Sequence, residues 1–219
     1  MTMKNNIKNL VICGAGGLGR EIAALIKRDY TEEWRIIGFI DPSPNLSDNI
    51  DGLQLLPENY LDDNAVAVVL GMASTERKAV LFKQLSLKHN INFPNIISRK
   101  AIIAPDTHLG NGNVITDFCW VSTNVTIGDG VLVNVATTIG HDSKIGDFVS
   151  IMPQCAISGK VNVGNSSLIG AKSFILQGKH IGQQSVVAAG SCVFRNVDDG
   201  ETVWGNPAHT LIKSNKHRG

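Results

Sequence analysis

From residue 97 to residue 193 an aliphatic side chain recurs every six positions without a gap: Ile97, Ile103, Leu109, Ile115, Val121, Ile127, Val133, Ile139, Ile145, Ile151, Ile157, Val163, Ile169, Ile175, Ile181, Val187 and Val193. Six residues of helix turn through about 600°, which scatters successive aliphatics over three directions and leaves no buried stripe. Six is a multiple of the strand period of two, so in extended chain every marked residue falls on one face. A single strand of that length would run roughly 340 Å, so the chain has to turn at each hexad. The small residues fit that requirement. Gly occupies the position after the aliphatic in seven of seventeen hexads, and Ala, Ser, Thr, Cys or Val the fourth position after it in fifteen, with Asn113 and Lys179 as the exceptions. Short strands, corners and a stacked aliphatic interior define a parallel β-helix over 97–198, in which each coil is stabilised by its neighbours. The same residues carry 7 basic and 6 acidic side chains and no Glu. With 22 Gly and only 7 Pro in 219 residues, the glycine excess indicates repeated close corners and not disorder.

Residues 1–96 differ, with 10 basic and 11 acidic side chains. The net charge of +1 excludes a general polyanion binder, so nucleic acid is not an expected partner. No secretory leader and no bilayer-length apolar run is present, which predicts a cytoplasmic chain without membrane insertion. Cys13, Cys119, Cys155 and Cys192 have no CxxC spacing and read as buried thiols. Strands are expected at 9–13, 35–40 and 65–70 and helices at 20–30 and 74–90, with 92–96 leading into the repeats: a small Rossmann-like α/β module with a parallel sheet. Gly14, Gly16, Gly17 and Gly19 form a Gly-rich strand-to-helix turn whose backbone N–H groups suit a phosphate. Asp41, about twenty residues on, suits a sugar hydroxyl or base. Arg20 could pair with the phosphate. Only about 90 residues precede the repeats, half of a dinucleotide fold, so one mononucleotide is the better match. Residues 199–219 are left as a C-terminal loop and tail.

Six histidines invite a metal test: His89, His108, His141, His180, His209 and His217. His108 and His180 lie 72 residues apart, four coils of eighteen, or roughly 19 Å along a solenoid, and cannot share an ion within one chain. No metal is therefore expected. His141 follows Ile139-Gly140 in mid-solenoid and precedes Asp142, and Gly159 stands one coil above it. An imidazole beside a glycine N–H supplies a general base and an oxyanion donor in one small volume.

The [ILV]-G-x-x-[small]-x register resembles the hexapeptide repeat of left-handed β-helix acyltransferases. Together with GAGGLGR, FIDP, the Gly140-His141-Asp142 step and the Gly205-Asn206-Pro207-Ala208 loop, it resembles one group of them over about residues 8 to 212. This group is the bacterial sugar O-/N-acyltransferases, which include sialic acid O-acetyltransferases and nucleotide 4-amino-sugar N-acetyltransferases. The resemblance implies a homotrimer with intersubunit sites, His141 as base, Asp142 as its acidic partner, Asn134 positioning base or substrate, and Gly159 as the oxyanion-type glycine. It further implies that the glycine turn and Asp41 hold a nucleotide-linked amino sugar, and that acetyl-CoA runs along the later coils past Ile157, Gly170, Ala188 and Pro207. Three positions depart from the family pattern: Ser150 stands where many members have a second histidine, His209 replaces a basic residue, and Gly71-Met72-Ala73 replaces a G-N-N segment. The expected activity is acetyl-CoA-dependent N-acetylation of a nucleotide-linked, UDP-type, 4-amino-4,6-dideoxy sugar. The alternatives are O-acetylation of a sialic acid or related sugar and a non-catalytic assembly solenoid.

Overall fold

The computed structural model describes residues 7–43 and 47–211; His217 and the end of the expected tail lie outside them. The N-terminal module is a six-stranded sheet flanked by helices. Its elements are β1 (Lys8–Cys13), α1 (Gly17–Asp29), β2 (Trp34–Ile40), β3 (Asn49–Ile50), β4 (Leu53–Leu55), α2 (Tyr60–Asp63), β5 (Val66–Leu70), α3 (Thr75–Ser86) and β6 (Ile91–Asn92). Strand order is β3-β4-β2-β1-β5-β6, parallel except for the β3–β4 hairpin. The central strand β1 reads as a continuous apolar run because Leu10 to Cys13 are covered on both faces. The structure departs from the sequence reading in three places. Helix α3 ends at Ser86, not at 90, because the chain turns at Leu87 and Asn90 is drawn away to the carbonyls of Leu61 and Asn64. The hairpin and the short α2 were not foreseen.

From Ile96 the chain winds as a parallel β-helix of two-residue strands with three faces. The first face runs from Ile96–Ile97 to Thr202–Trp204, the second from Ile102–Ile103 to Cys192–Val193, and the third from His108–Leu109 to His180–Ile181. Each strand pairs with the one eighteen residues on, as in Ile97↔Ile115 and Ile139↔Ile157. From Ile115 onward every hexad aliphatic is buried in one continuous core.

The corners work differently from the simplest reading of their glycines. The glycine after the aliphatic is there for close approach, since a Cβ on Gly140 would stand 2.4 Å from the Gly159 N atom and one on Gly170 2.4 Å from that of Ala189. The reversal itself comes two residues later, where fourteen successive hexads from Gly112 to Gly190 place a residue at positive φ, ten of them non-glycine. The small residue one step further points inward, and its hydroxyl or thiol donates to a carbonyl of the next coil, as Ser143 does to Ser158 (3.1 Å) and Ser167 to Gly182 (2.6 Å). The core can therefore take small hydroxyl and thiol side chains, whereas Asn113 in the same slot leaves its buried Nδ2 without a partner among the described residues.

The solenoid also runs further than 198. Thr202–Trp204 pairs in parallel with Val186–Val187 after a shortened coil of sixteen residues, and Val197 and Val203 close the core. The segment from 199 is thus the last coil before the loop at 205–208, which folds back through Ala208 N–H onto the Cys192 carbonyl (2.8 Å).

The module is seated on the first face. The outward side chains Ile96, Val114 and Leu132 are buried in the same cluster as Leu10, Ile22 and Ile26. Polar ties surround that contact. Lys78 Nζ, with the residue only 1% exposed, donates to the carbonyls of Gly130 (2.8 Å) and Val149 (3.1 Å). Arg28 bridges to Asp117, and Ser150 Oγ donates to the Ala73 carbonyl (2.8 Å).

Candidate active site

The corner between the second and third faces carries His141 and Asp142. Asp142 occupies the positive-φ slot (φ 60°), and its N–H donates to the Thr123 carbonyl of the coil below (3.1 Å), which turns the carboxylate back toward the preceding residue. His141 Nδ1 and Asp142 Oδ2 are 2.7 Å apart. A carboxylate only accepts, so Nδ1 carries a proton, and in the neutral ring the lone pair is left on Nε2. The His141 hydrogen bond, then that from Asn124, holds the Asp142 carboxyl below the usual carboxylate range. Nε2 lies against Gly159, where an added Cβ would stand 2.6 Å from it. Only a glycine leaves room there, and Gly159 N–H has no protein acceptor among the described residues. One chain therefore brings together a half-exposed imidazole and carboxylate and, against the ring, the backbone N–H of the buried Gly159.

Asn124 was missed by sequence reasoning. Its Nδ2 donates to Asp142 Oδ1 at 2.7 Å from one coil below. The available signal was the spacing of eighteen residues between positions 124 and 142.

Asn134 is not part of this group within the chain. It sits on the corner between the first and second faces, buried, with Oδ1 accepting from Val135 N–H (2.7 Å) and Thr116 Oγ1 (3.4 Å). Above it at eighteen-residue steps come Met152, Gly170 and Ala188, so two of the residues expected along acetyl-CoA share its column. Pro207 is exposed in the loop that closes onto Cys192. Ile157 has to be withdrawn as a contact: it is a hexad aliphatic, 2% exposed, with its side chain inside the solenoid.

At the glycine turn, a Cβ on Gly14 would meet the Gly71 carbonyl oxygen at 2.7 Å and one on Gly19 the Gly14 carbonyl oxygen at 1.9 Å, so these two glycines are explained by packing. Gly16 and Gly17 face open space and are exposed. Helix α1 starts there with no side-chain cap and no acidic residue in its first turn, which leaves backbone N–H groups available to an anion. Asp41 is partly committed: Oδ2 accepts the Ala15 N–H (2.8 Å) and Oδ1 that of Ser43 (3.0 Å). Partial burial works against its ionisation, but the Ala15 and Ser43 donors, with the charge of Arg77, outweigh it and lower the carboxyl below its ordinary range. Arg20 is exposed on the first turn of α1. Ser150 does not face this turn; it is buried and spent on the Ala73 carbonyl, so it does not replace a ligand-binding histidine.

Fold and site together define a small α/β module docked on a parallel β-helix, one corner of which carries a His–Asp pair. Residues 9–85 match the family described as the PglD N-terminal domain. Perosamine N-acetyltransferase from Caulobacter crescentus, as a histidine-to-asparagine mutant with CoA and GDP-perosamine, superposes with a TM-score of 0.88 at 21% identity over 94% of this chain and 98% of its own. The acetyltransferase domain of PglB from Neisseria gonorrhoeae in complex with acetyl coenzyme A gives 0.84 at 24%, over 94% and 100%. WeeI from Acinetobacter baumannii gives 0.79 at 26%, over 92% and 99%. No curated protein sequence matches the chain. Residues 9–85 thus carry a PglD N-terminal domain, and the chain as a whole shares the fold of these sugar acetyltransferases, an α/β module followed by a parallel β-helix.

Proposed function

We propose that the protein transfers the acetyl group of acetyl-CoA to the amine of a nucleotide-linked 4-amino-4,6-dideoxy sugar in the cytoplasm. The observation that carries this reading is the corner where His141 Nε2, held by Asp142 through Nδ1, lies against Gly159. The amine nitrogen attacks the thioester carbonyl while Nε2 takes its proton, a contribution of about 10² to 10⁴-fold. The Gly159 N–H stabilises the tetrahedral oxyanion, and collapse expels the CoA thiolate, which recovers the proton from His141. The open N–H groups at Gly16 and Gly17 take the sugar nucleotide's phosphate, with Arg20 at hand. The complex of the Caulobacter enzyme with GDP-perosamine supports a nucleotide amino sugar as the substrate class, and the panel below sets the expected UDP-linked sugar against its GDP- and dTDP-linked counterparts.

We infer a homotrimer, which the positions of the groups support. The outward column of the second face is Ile102, Trp120, Thr138, Ala156, Phe174 and Cys192, without a charge, and Ile102 and Trp120 are 57% and 51% exposed. His141 lies on one edge of that face and Asn134 on the other. Three chains packed by this face around a common axis set the His141 edge of one against the Asn134 edge of the next. Acetyl-CoA then lies between the Gly159 column of one chain and the Gly170–Ala188 column of its neighbour.

The test is mass spectrometry of products from acetyl-CoA and a panel of UDP-, GDP- and dTDP-linked 4-amino sugars, with free sialic acid as the O-acetylation control. N-acetylation of one nucleotide sugar is expected, and His141→Ala should lower turnover at least about a hundredfold in a folded protein. Acetylation of free sialic acid alone, or near-normal turnover of His141→Ala, would sink the assignment.

A further inference from the structure

We propose that Asn124 is a positioning residue for the His141–Asp142 pair, anchored in turn by Asp106, so that the acid–base group is a column climbing one corner at eighteen-residue steps. This rests on the reading of His141 as base.

Each Asp142 oxygen has its own donor: His141 Nδ1 on Oδ2 and Asn124 Nδ2 on Oδ1, both at 2.7 Å. A carboxylate held at one oxygen can swing about its terminal torsion, which is broad; held at both, it fixes the plane in which the imidazole N–H must lie. Asn124 is itself fixed, in the positive-φ slot (φ 54°) with its N–H donating to Asp106 Oδ2 at 3.0 Å. Among the described residues, no other pair of positive-φ slots in successive coils is joined side chain to side chain. The one such link thus occurs at the coil that carries the candidate base. The groups facing Asp142 are His141 beside it, Asn124 below, Lys160 in the coil above and Asp106 two coils down, behind Asn124.

Two variants that keep the backbone separate this from a packing role. Asn124→Gly retains positive φ without strain. Asn124→Asp retains shape and tolerance of the slot but replaces the amide donor with an acid. With the fixed carboxylate lost, Asn124→Gly should lower kcat about tenfold while KM for both substrates stays within about twofold. For Asn124→Asp, the neighbouring Asp142 charge raises the new carboxyl's pKa. At low pH its O–H donates to Asp142 and activity relative to wild type is high; as pH rises the two carboxylates repel and the ratio falls. Steady-state kinetics from pH 5.5 to 8.5, with thermal midpoints measured alongside, read both effects. Wild-type kcat in both variants, or an Asn124→Asp ratio flat with pH, overturns the proposal. His141→Ala, run in parallel, separates the layers. If it loses turnover while the Asn124 variants do not, Asn124 alone is misassigned; if it keeps turnover, the base assignment falls and this proposal with it.

Discussion

Lys78 is the residue on which the two halves of the molecule meet. Its amine is buried beneath α3 with two solenoid carbonyls as acceptors, and burial without a counter-charge lowers its pKa from 10.5 to about 7. Two acceptors satisfy a neutral amine, whereas an ammonium has a third proton without a partner there. The folded state binds fewer protons than the unfolded chain between about pH 7 and 10, so this group makes stability rise with pH across that window. Cys13 acts oppositely: burial, with the Asp41 charge, raises its thiol from 9.0 to about 12, so its contribution falls as pH climbs above 9. The clean readout is the difference between wild type and Lys78→Met in urea denaturation at pH 6.5, 7.5 and 8.5. Wild type should gain on the variant as pH rises. A constant difference would mean that the amine stays in one protonation state throughout.

At the scale of the element, the strand–turn–helix of β1 and α1 contains two kinds of glycine that a GxGxxG pattern does not distinguish. Gly19→Ala drives a Cβ to 1.9 Å from the Gly14 carbonyl oxygen, backbone against backbone, and should destabilise the module by about 2 kcal/mol or more. Gly17→Ala meets nothing within 4 Å, so its thermal midpoint should match wild type while KM for the nucleotide sugar rises. An unchanged KM in Gly17→Ala would remove the phosphate from this turn. The same distinction marks how far the elements were legible. The hexads were unmistakable because one inward slot repeats with a period that only turning strands can use. The β3–β4 hairpin has the Asp51-Gly52 turn at positive φ, a recognisable signal, but its strands of two and three residues are too short to show alternation. His141, Asp142 and Gly159 were found by adding one residue or one coil. Asn124 obeys the same arithmetic, yet an Asn in a corner slot is ordinary in itself, and nothing in the sequence states that its amide faces a carboxylate. The inward burial of Ile157 could have been read from its place in the hexad series.

For the whole molecule, the three faces have three different fates, and the proposed chemistry draws on them. The first is covered by the module and the third presents His108, Thr126, Lys144, Asn162 and His180 outward, a column suited to water. The second leaves Ile102, Trp120 and the nearby Phe118 exposed, an apolar surface that a lone chain would hold at a cost. Within one chain the module sits across the solenoid from His141, and the corner bearing Asn134 is separated from it by a full face. In the proposed ring, a nucleotide sugar held by one chain's module lies nearest the His141 edge of its neighbour, so assembly and catalysis become one property. Trp120→Glu tests both. Its site is outward-facing, paired only through backbone with Ile102 and Thr138, so the coil keeps its core. Sedimentation velocity should find a monomer in place of a trimer, the far-ultraviolet spectrum of the β-helix should persist, and acetyl transfer should fall at least about a hundredfold because His141 of one chain and Asn134 of the next no longer meet. A folded monomer with full turnover would place the whole site inside one chain, and a stable trimer would move the interface to another face.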